Sequence, residues 1–138
     1  MTLLLDTNVI IDVLAEREPF FRKAAAVWKL CETKQVDGFI SALSFANITY
    51  VLRKELSPYQ IEEVQKILGL IFDIAGLGRE ELTKAAQLHW SDYEDALQYE
   101  TAVRVRAEYI ITRNTKDFEG GDVTAITPEN FLKDIAVR

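Results

Sequence analysis

LLLDTNVIIDVL, residues Leu3 to Leu14, is the stretch that decides the fold. Three successive leucines suit a strand buried on both faces of a sheet. The run ends in a carboxylate, Asp6, after which Thr7 and Asn8 lead into an amphipathic stretch. An acid at the C-terminal end of a first parallel strand stands where α/β sheets build their sites. Aspartate is also a favoured helix N-cap, so the segment alone weighs the two readings evenly.

Working outward, short apolar strands are predicted at Thr2–Leu5, Gly38–Ser41, Ile71–Leu77, Tyr109–Thr112 and Val123–Ile126. Between them lie helical patterns over Phe20–Thr33 and Leu43–Leu56, with apolar residues at spacings of three and four. Ser57-Pro58 is a helix start, with serine as N-cap and proline at the first helical position, and opens a helix to Leu68. Arg79–Trp90 and Asp92–Ala107 read as two more, and Thr127-Pro128 opens a last short helix ending near Ile135. Strands alternating with helices imply right-handed crossovers and a parallel sheet covered on both faces. The expected fold is therefore α/β, a three-layer α/β/α sandwich around a central parallel sheet. The strand-free run from Leu43 to Leu68 forms a helical pair projecting from one side.

The bulk properties fit that picture. A chain of 138 residues, 49% of them hydrophobic, makes one domain over residues 1–138 with a proper core. Cys31 is the single cysteine, which excludes an intrachain disulfide and suits a reducing cytoplasm. No signal-peptide pattern follows Met1, and no apolar run approaches the roughly 20 residues that span a bilayer, so no membrane partner is expected. The net charge of −6 argues against nucleic-acid binding by bulk electrostatics. It is compatible with a nuclease whose acids hold metal ions, since a bound metal and local Arg and Lys then attract phosphate.

Two further segments carry chemistry. In Trp90-Ser91-Asp92-Tyr93-Glu94-Asp95-Ala96-Leu97-Gln98, Asp92 and Asp95 share a helix's first turn. Helix capping explains Asp92 by itself, and Glu94 reads as a solvated side chain. Asp95 borders the apolar face, where an unpaired carboxylate is costly unless a metal or hydrogen bonds relieve it. In Tyr109-Ile110-Ile111-Thr112-Arg113-Asn114-Thr115-Lys116-Asp117-Phe118, a second apolar strand ends in a polar cluster. Thr112 and Asn114 can hydrogen-bond a carboxylate, water or phosphate, and Arg113 and Lys116 add positive charge beside Asp117. A parallel sheet brings such strand ends to one edge. Convergent carboxylates repel unless divalent cations hold them, and oxygen-rich sites select Mg²⁺ or Mn²⁺. Such a metal can activate water and stabilise charge on a phosphodiester. The single histidine, His89, has no partner motif and reads as structural.

On these residues the chain resembles the PIN-domain proteins, the ribonuclease fold of the toxin half of many bacterial toxin–antitoxin pairs. The resemblance runs from LLLDTNVIIDVL to TPENFL and rests on Asp6-Thr7-Asn8, the Asp95-Ala96 helix start and the run from Thr112 to Phe118. It implies Asp6, Asp95 and Asp117 as metal ligands, Asp92 as a further catalytic acid, and Asn8, Asn47, Thr112 and Asn114 in support. The family's usual second acid, a Glu, falls at or near Asn47, and no Asp or Glu occurs between Gly38 and Lys54. Arg113 and Lys116, with Arg17 and Arg53, are the expected contacts to substrate phosphate. The implied function is a cytoplasmic, Mg²⁺- or Mn²⁺-dependent endoribonuclease, with RNA as substrate, a cognate antitoxin as partner and a homodimer as the assembly. The alternative is a non-catalytic PIN module that binds RNA or protein, motivated by the missing second acid. A phosphatase of the haloacid-dehalogenase type also begins with a strand ending in Asp, but needs a second Asp where Asn8 stands.

Overall fold

The computed structural model describes residues 1–137. The strands are β1 (Thr2–Leu5), β2 (Asp37–Ser41), β3 (Asp73–Ala75), β4 (Tyr109–Ile111) and β5 (Thr124–Ile126). All pair in parallel, in the order β3-β2-β1-β4-β5. The first strand thus lies at the centre, with Leu4 opposite Phe39 on one side and Ile110 on the other. Leu3, Leu4 and Leu5 are all fully buried. Leu3 and Leu5 face one apolar core and Leu4 faces another, which is why this segment has no polar alternation.

The larger core joins that face of the sheet to α1 (Thr7–Leu14), α2 (Phe21–Glu32), α3 (Ala42–Leu52), α4 (Pro58–Ile71) and α7 (Pro128–Ala136). Helices α5 (Arg79–Leu88) and α6 (Tyr93–Arg104) cover the other face through Ala85, Ala96, Leu97, Tyr99 and Ala102. The result is the expected three-layer sandwich. Packing of α2 is close enough to dictate a residue on β2. A Cβ on Gly38 would lie 2.5 Å from Cys31 Sγ. Burial pushes that thiol up to about 12, which removes it as a nucleophile.

Helices α3 and α4 form the projecting pair. Ser57 caps α4 reciprocally with Gln60, Pro58 occupies its first turn, and Gln65 Nε2 donates to Thr49 Oγ1 at 2.9 Å to join the two helices. Helix α4 runs on to Ile71 and leaves β3 only three residues, shorter than the predicted Ile71–Leu77. Leu68 and Ile71 complete the helix's buried face, and that packing outweighs the local strand preference. No helix among the described residues is long and apolar enough to cross a membrane.

Strand order reverses at β1, because the chain moves outward through β2 and β3 and then returns to place β4 on the opposite side. Ligand crevices of open α/β sheets form at such a switch point, beyond the carboxyl ends of the strands. Here those ends are Asp6 and Thr112.

Candidate functional site

Asp6 answers both readings of its position. Its backbone is extended and its carboxylate caps α1, accepting from Thr7 N–H at 2.9 Å. The same carboxylate also faces the crevice. Gln98 Nε2 donates to Oδ1 at 3.1 Å, Thr112 Oγ1 to Oδ2 at 2.8 Å, and Asn8 Nδ2 to Oδ2 at a longer 3.4 Å. Burial raises the Asp6 pKa; the hydrogen bonds from Thr112, Gln98 and Thr7 oppose that rise, and the charge of Asp117 adds to it.

A cleft of about 460 Å³ opens above this carboxylate. Asp92, Glu94 and Asp95 from the start of α6, and Asp117 from the 3-10 helix Thr115–Phe118, make one wall. Arg17, Asn47, Tyr50 and Val51 make much of the rest. Asp92 is the N-cap of α6, accepting from Asp95 N–H at 3.2 Å, and lines the cleft as well. The Asp95 pKa is pushed up to about 7 by burial first, then by the charges of Asp92, Asp117, Asp6 and Glu94. Among the described residues no ion pair joins Asp6, Asp92, Asp95 or Asp117 to a lysine or arginine.

The supporting residues fall into place around Asp6. Thr112 is fully buried; its hydroxyl donates to Asp6 and accepts from Asn114 N–H at 3.1 Å. Asn8 bridges Asp6 to the loop after β4, accepting from Arg113 N–H at 3.4 Å. Asn47 and Asn114 line the cleft. Glu94, expected in solvent, is exposed but forms part of the acidic wall. His89 ends α5 in a left-handed conformation and lines neither acidic cleft.

Of the four expected phosphate contacts, Lys116 and Arg113 separate. Lys116 lines an adjoining cleft of about 480 Å³ that shares Asp92, Asp95 and Asp117 with the first. Arg113 points elsewhere. Its Nε lies 2.7 Å from Oδ2 of the buried Asp12, and its guanidinium packs 4.1 Å over the ring of Phe20. An arginine neutralising a buried acid is held by the fold, so Arg113 is engaged away from the cleft. Arg53 stacks 3.6 Å over Tyr50 and braces that exposed ring at the cleft.

Sequence reading gave no role to Gln98 and Ser44, both buried. Gln98 follows Asp95 by three positions and therefore shares its helix face, a signal present in the sequence. The nearness of Ser44 to Asp6 comes only from the fold.

The donor set of the cleft is all oxygen, which suits a hard divalent cation. As placed, no three acidic, histidine or cysteine side chains among the described residues close on a single point. The acids line the cleft, and the rise at Asp95, from burial first and from its acidic neighbours second, is one that a bound cation would oppose.

Residues 2–116 match the family model of the PIN domain. The chain belongs to the PIN-domain family. Its fold is also that of several solved structures. FitAcB from Neisseria gonorrhoeae is 22% identical, with 92% of this chain and 98% of that one covered at a TM-score of 0.70. A toxin–antitoxin complex from Klebsiella pneumoniae is 26% identical, with 91% and 97% covered at 0.69. VapBC2 from Rickettsia felis, bound to a DNA fragment from its promoter, is 16% identical, with 92% and 98% covered at 0.71. No curated protein sequence matches the chain.

Proposed function

We propose that this PIN domain is a cytoplasmic, metal-dependent endoribonuclease, the toxin half of a toxin–antitoxin pair. One observation carries the reading: five carboxylates from three separate segments line a single cleft, and among the described residues no lysine or arginine is paired to them. Unpaired convergent acids are costly unless an outside cation completes them.

Asp6, Asp95 and Asp117 would hold Mg²⁺ or Mn²⁺. When bound, the cation lowers the pKa of water and offsets charge developing on a phosphodiester. The chain's own residues do the rest. Asp92 adds negative charge at the mouth of the cleft, and the Asn47 amide offers a hydrogen bond to water without adding charge. Arg17 on one side and Lys116 on the other contact RNA phosphates, while Tyr50 offers a ring for a base. Hydrolysis joins water oxygen to phosphorus and breaks the bond to the 3′ oxygen, leaving a 5′-phosphate and a 3′-hydroxyl.

The likeness to toxin–antitoxin complexes motivates an antitoxin partner and a homodimer. The exposed apolar residues Tyr59, Ile67 and Leu70 on α4 offer a surface for a protein contact. The deciding experiment incubates the purified protein with a mixed-sequence RNA in Mn²⁺ and again with excess chelator. Cleavage confined to the metal sample, with 5′-phosphate ends, is the expected result. Chelator-insensitive cleavage refutes metal dependence.

A second reading, a non-catalytic PIN module, is favoured by Asn47 alone. Calorimetry separates the two, because a module without catalytic function should bind no Mn²⁺ at millimolar concentration.

A further inference from the structure

We infer that Gln98 is a positioning residue, which orients Asp6 by donating to it from a site anchored on α3. The inference rests on the reading of Asp6 as a metal ligand. Gln98 is buried on α6, and its Nε2 makes two contacts: Asp6 Oδ1 at 3.1 Å and Ser44 Oγ at 2.7 Å. Ser44 Oγ in turn lies 2.7 Å from Thr7 Oγ1. Ser44 is itself fixed, because its backbone N–H donates to the Ser41 hydroxyl that caps α3, at 3.0 Å. A closed polar circuit thus runs from β1 and α1 through α3 to α6 and back to Asp6.

The orientation of the amide is informative. Gln98 Oε1 is buried without a hydrogen-bond partner, and such an acceptor is costly. The opposite orientation would place that oxygen 3.1 Å from a carboxylate oxygen, so the amide is oriented by what Nε2 donates to. Asp6 receives donors on both oxygens: Thr7 and Gln98 on Oδ1, Thr112 and Asn8 on Oδ2. Among the described residues, Gln98 makes the one hydrogen bond that ties it to the helix carrying Asp92 and Asp95. Gln98 therefore fixes the first acid relative to the α6 acids across the cleft. Groups that orient metal ligands from behind typically change affinity by about 10- to 100-fold when removed.

The test is calorimetric Mn²⁺ binding by wild type, Asp6→Asn, Gln98→Met and Gln98→Glu, with folding checked by circular dichroism. Gln98→Met keeps the bulk and loses the donor. Gln98→Glu keeps the shape and replaces the donor with an oxygen facing Asp6. Both should weaken Mn²⁺ binding by about 10-fold or more and lower kcat while KM for RNA stays near wild type. Ser44→Ala, which releases only the anchor, should weaken binding less than either. Should a Gln98 variant misfold, Ser44→Ala carries the same binding test. Wild-type affinity in Gln98→Met, or in Ser44→Ala where that variant stands in, reduces Gln98 to a space-filler and overturns its role. Tighter binding in Gln98→Glu assigns Gln98 a ligand's place instead and equally overturns the proposal. Unchanged binding in Asp6→Asn refutes the metal-site reading and the Gln98 role with it. Impaired Asp6→Asn beside an unchanged Gln98→Met removes the Gln98 role alone.

Discussion

Helix α1 carries two carboxylates with opposite fates, one at its N-cap and one in its interior. Asp6 begins the helix and Asp12 lies within it, and burial raises the pKa of both. Asp12 is met by the guanidinium of Arg113 at 2.7 Å, with Arg17 contributing charge. Asp6 is met by neutral donors and by the charge of another acid, Asp117. The protein neutralises one acid from within and leaves the other without a cationic partner among the described residues. Burial alone marks neither acid as functional; the partners decide.

The sharpest way to break the comparison is to neutralise each acid in turn. Asp6→Asn should lower RNA cleavage by more than about 100-fold, beyond the range typical of groups behind a metal's ligands. Its fold should survive, because its hydrogen-bond donors are all neutral and the charge near it, that of Asp117, is repulsive. Asp12→Asn should leave cleavage by the folded protein near wild type. Equal losses in the two variants would erase the distinction between them.

The next effect is on stability. Arg113→Met strands Asp12 without its counter-charge, and should lower unfolding free energy by about 3 kcal/mol, at the low end for a broken buried pair because Arg113 is partly exposed. Urea denaturation measures it. Combining the change with Asp12→Leu should recover most of the loss, since an apolar pair of similar volume replaces the ions.

A smaller effect follows from Asp95, whose pKa of about 7 lies above the ordinary value of 3.8. The folded, metal-free protein therefore holds this proton more tightly than the unfolded chain. That contribution to stability is fully present below about pH 4 and is lost as pH rises through 7. In metal-free buffer Asp95→Asn should melt higher than wild type at pH 8, with the gap closing towards pH 4.5. Mn²⁺ should raise the wild-type Tm more at pH 8 than at pH 5.5. Parallel melting curves for the two proteins across this range would show that Asp95 is not strained by its neighbours. The smallest effect is that of Asp92→Asn. Asparagine caps as well as aspartate, so stability should change by no more than about 0.5 kcal/mol, while Mn²⁺ affinity falls by a small factor.

Much of this arrangement was legible before the fold was known, and the gaps have physical causes. The leucine run announced a doubly buried strand, though not its central place in the sheet. Ser57-Pro58 and Thr127-Pro128 marked helix starts at the residues where α4 and α7 begin. Local chemistry governs both kinds of signal. The strand at β3 was drawn too long because Ile71 is apolar in either state, and only its packing in α4 decides. Arg113 looked like a phosphate contact because sequence shows that a cation stands near an acid, but not which acid claims it. Asp12 drew no attention for the same reason. Gln98 was visible as a neighbour of Asp95 on a helix face, yet its contact with Asp6 joins residues 92 positions apart.

The central position of β1 has a consequence for the making of the protein. On one flank β1 pairs with β4, far later in the chain, and Asp6 meets Thr112 only across 106 residues. A chain still growing carries Asp6 but lacks the threonine, the asparagine and the second strand end that frame it. The frame of the cleft closes only when the segment from α6 to β4 docks against β1. Any chemistry of the cleft therefore waits on the folding of this later segment onto β1.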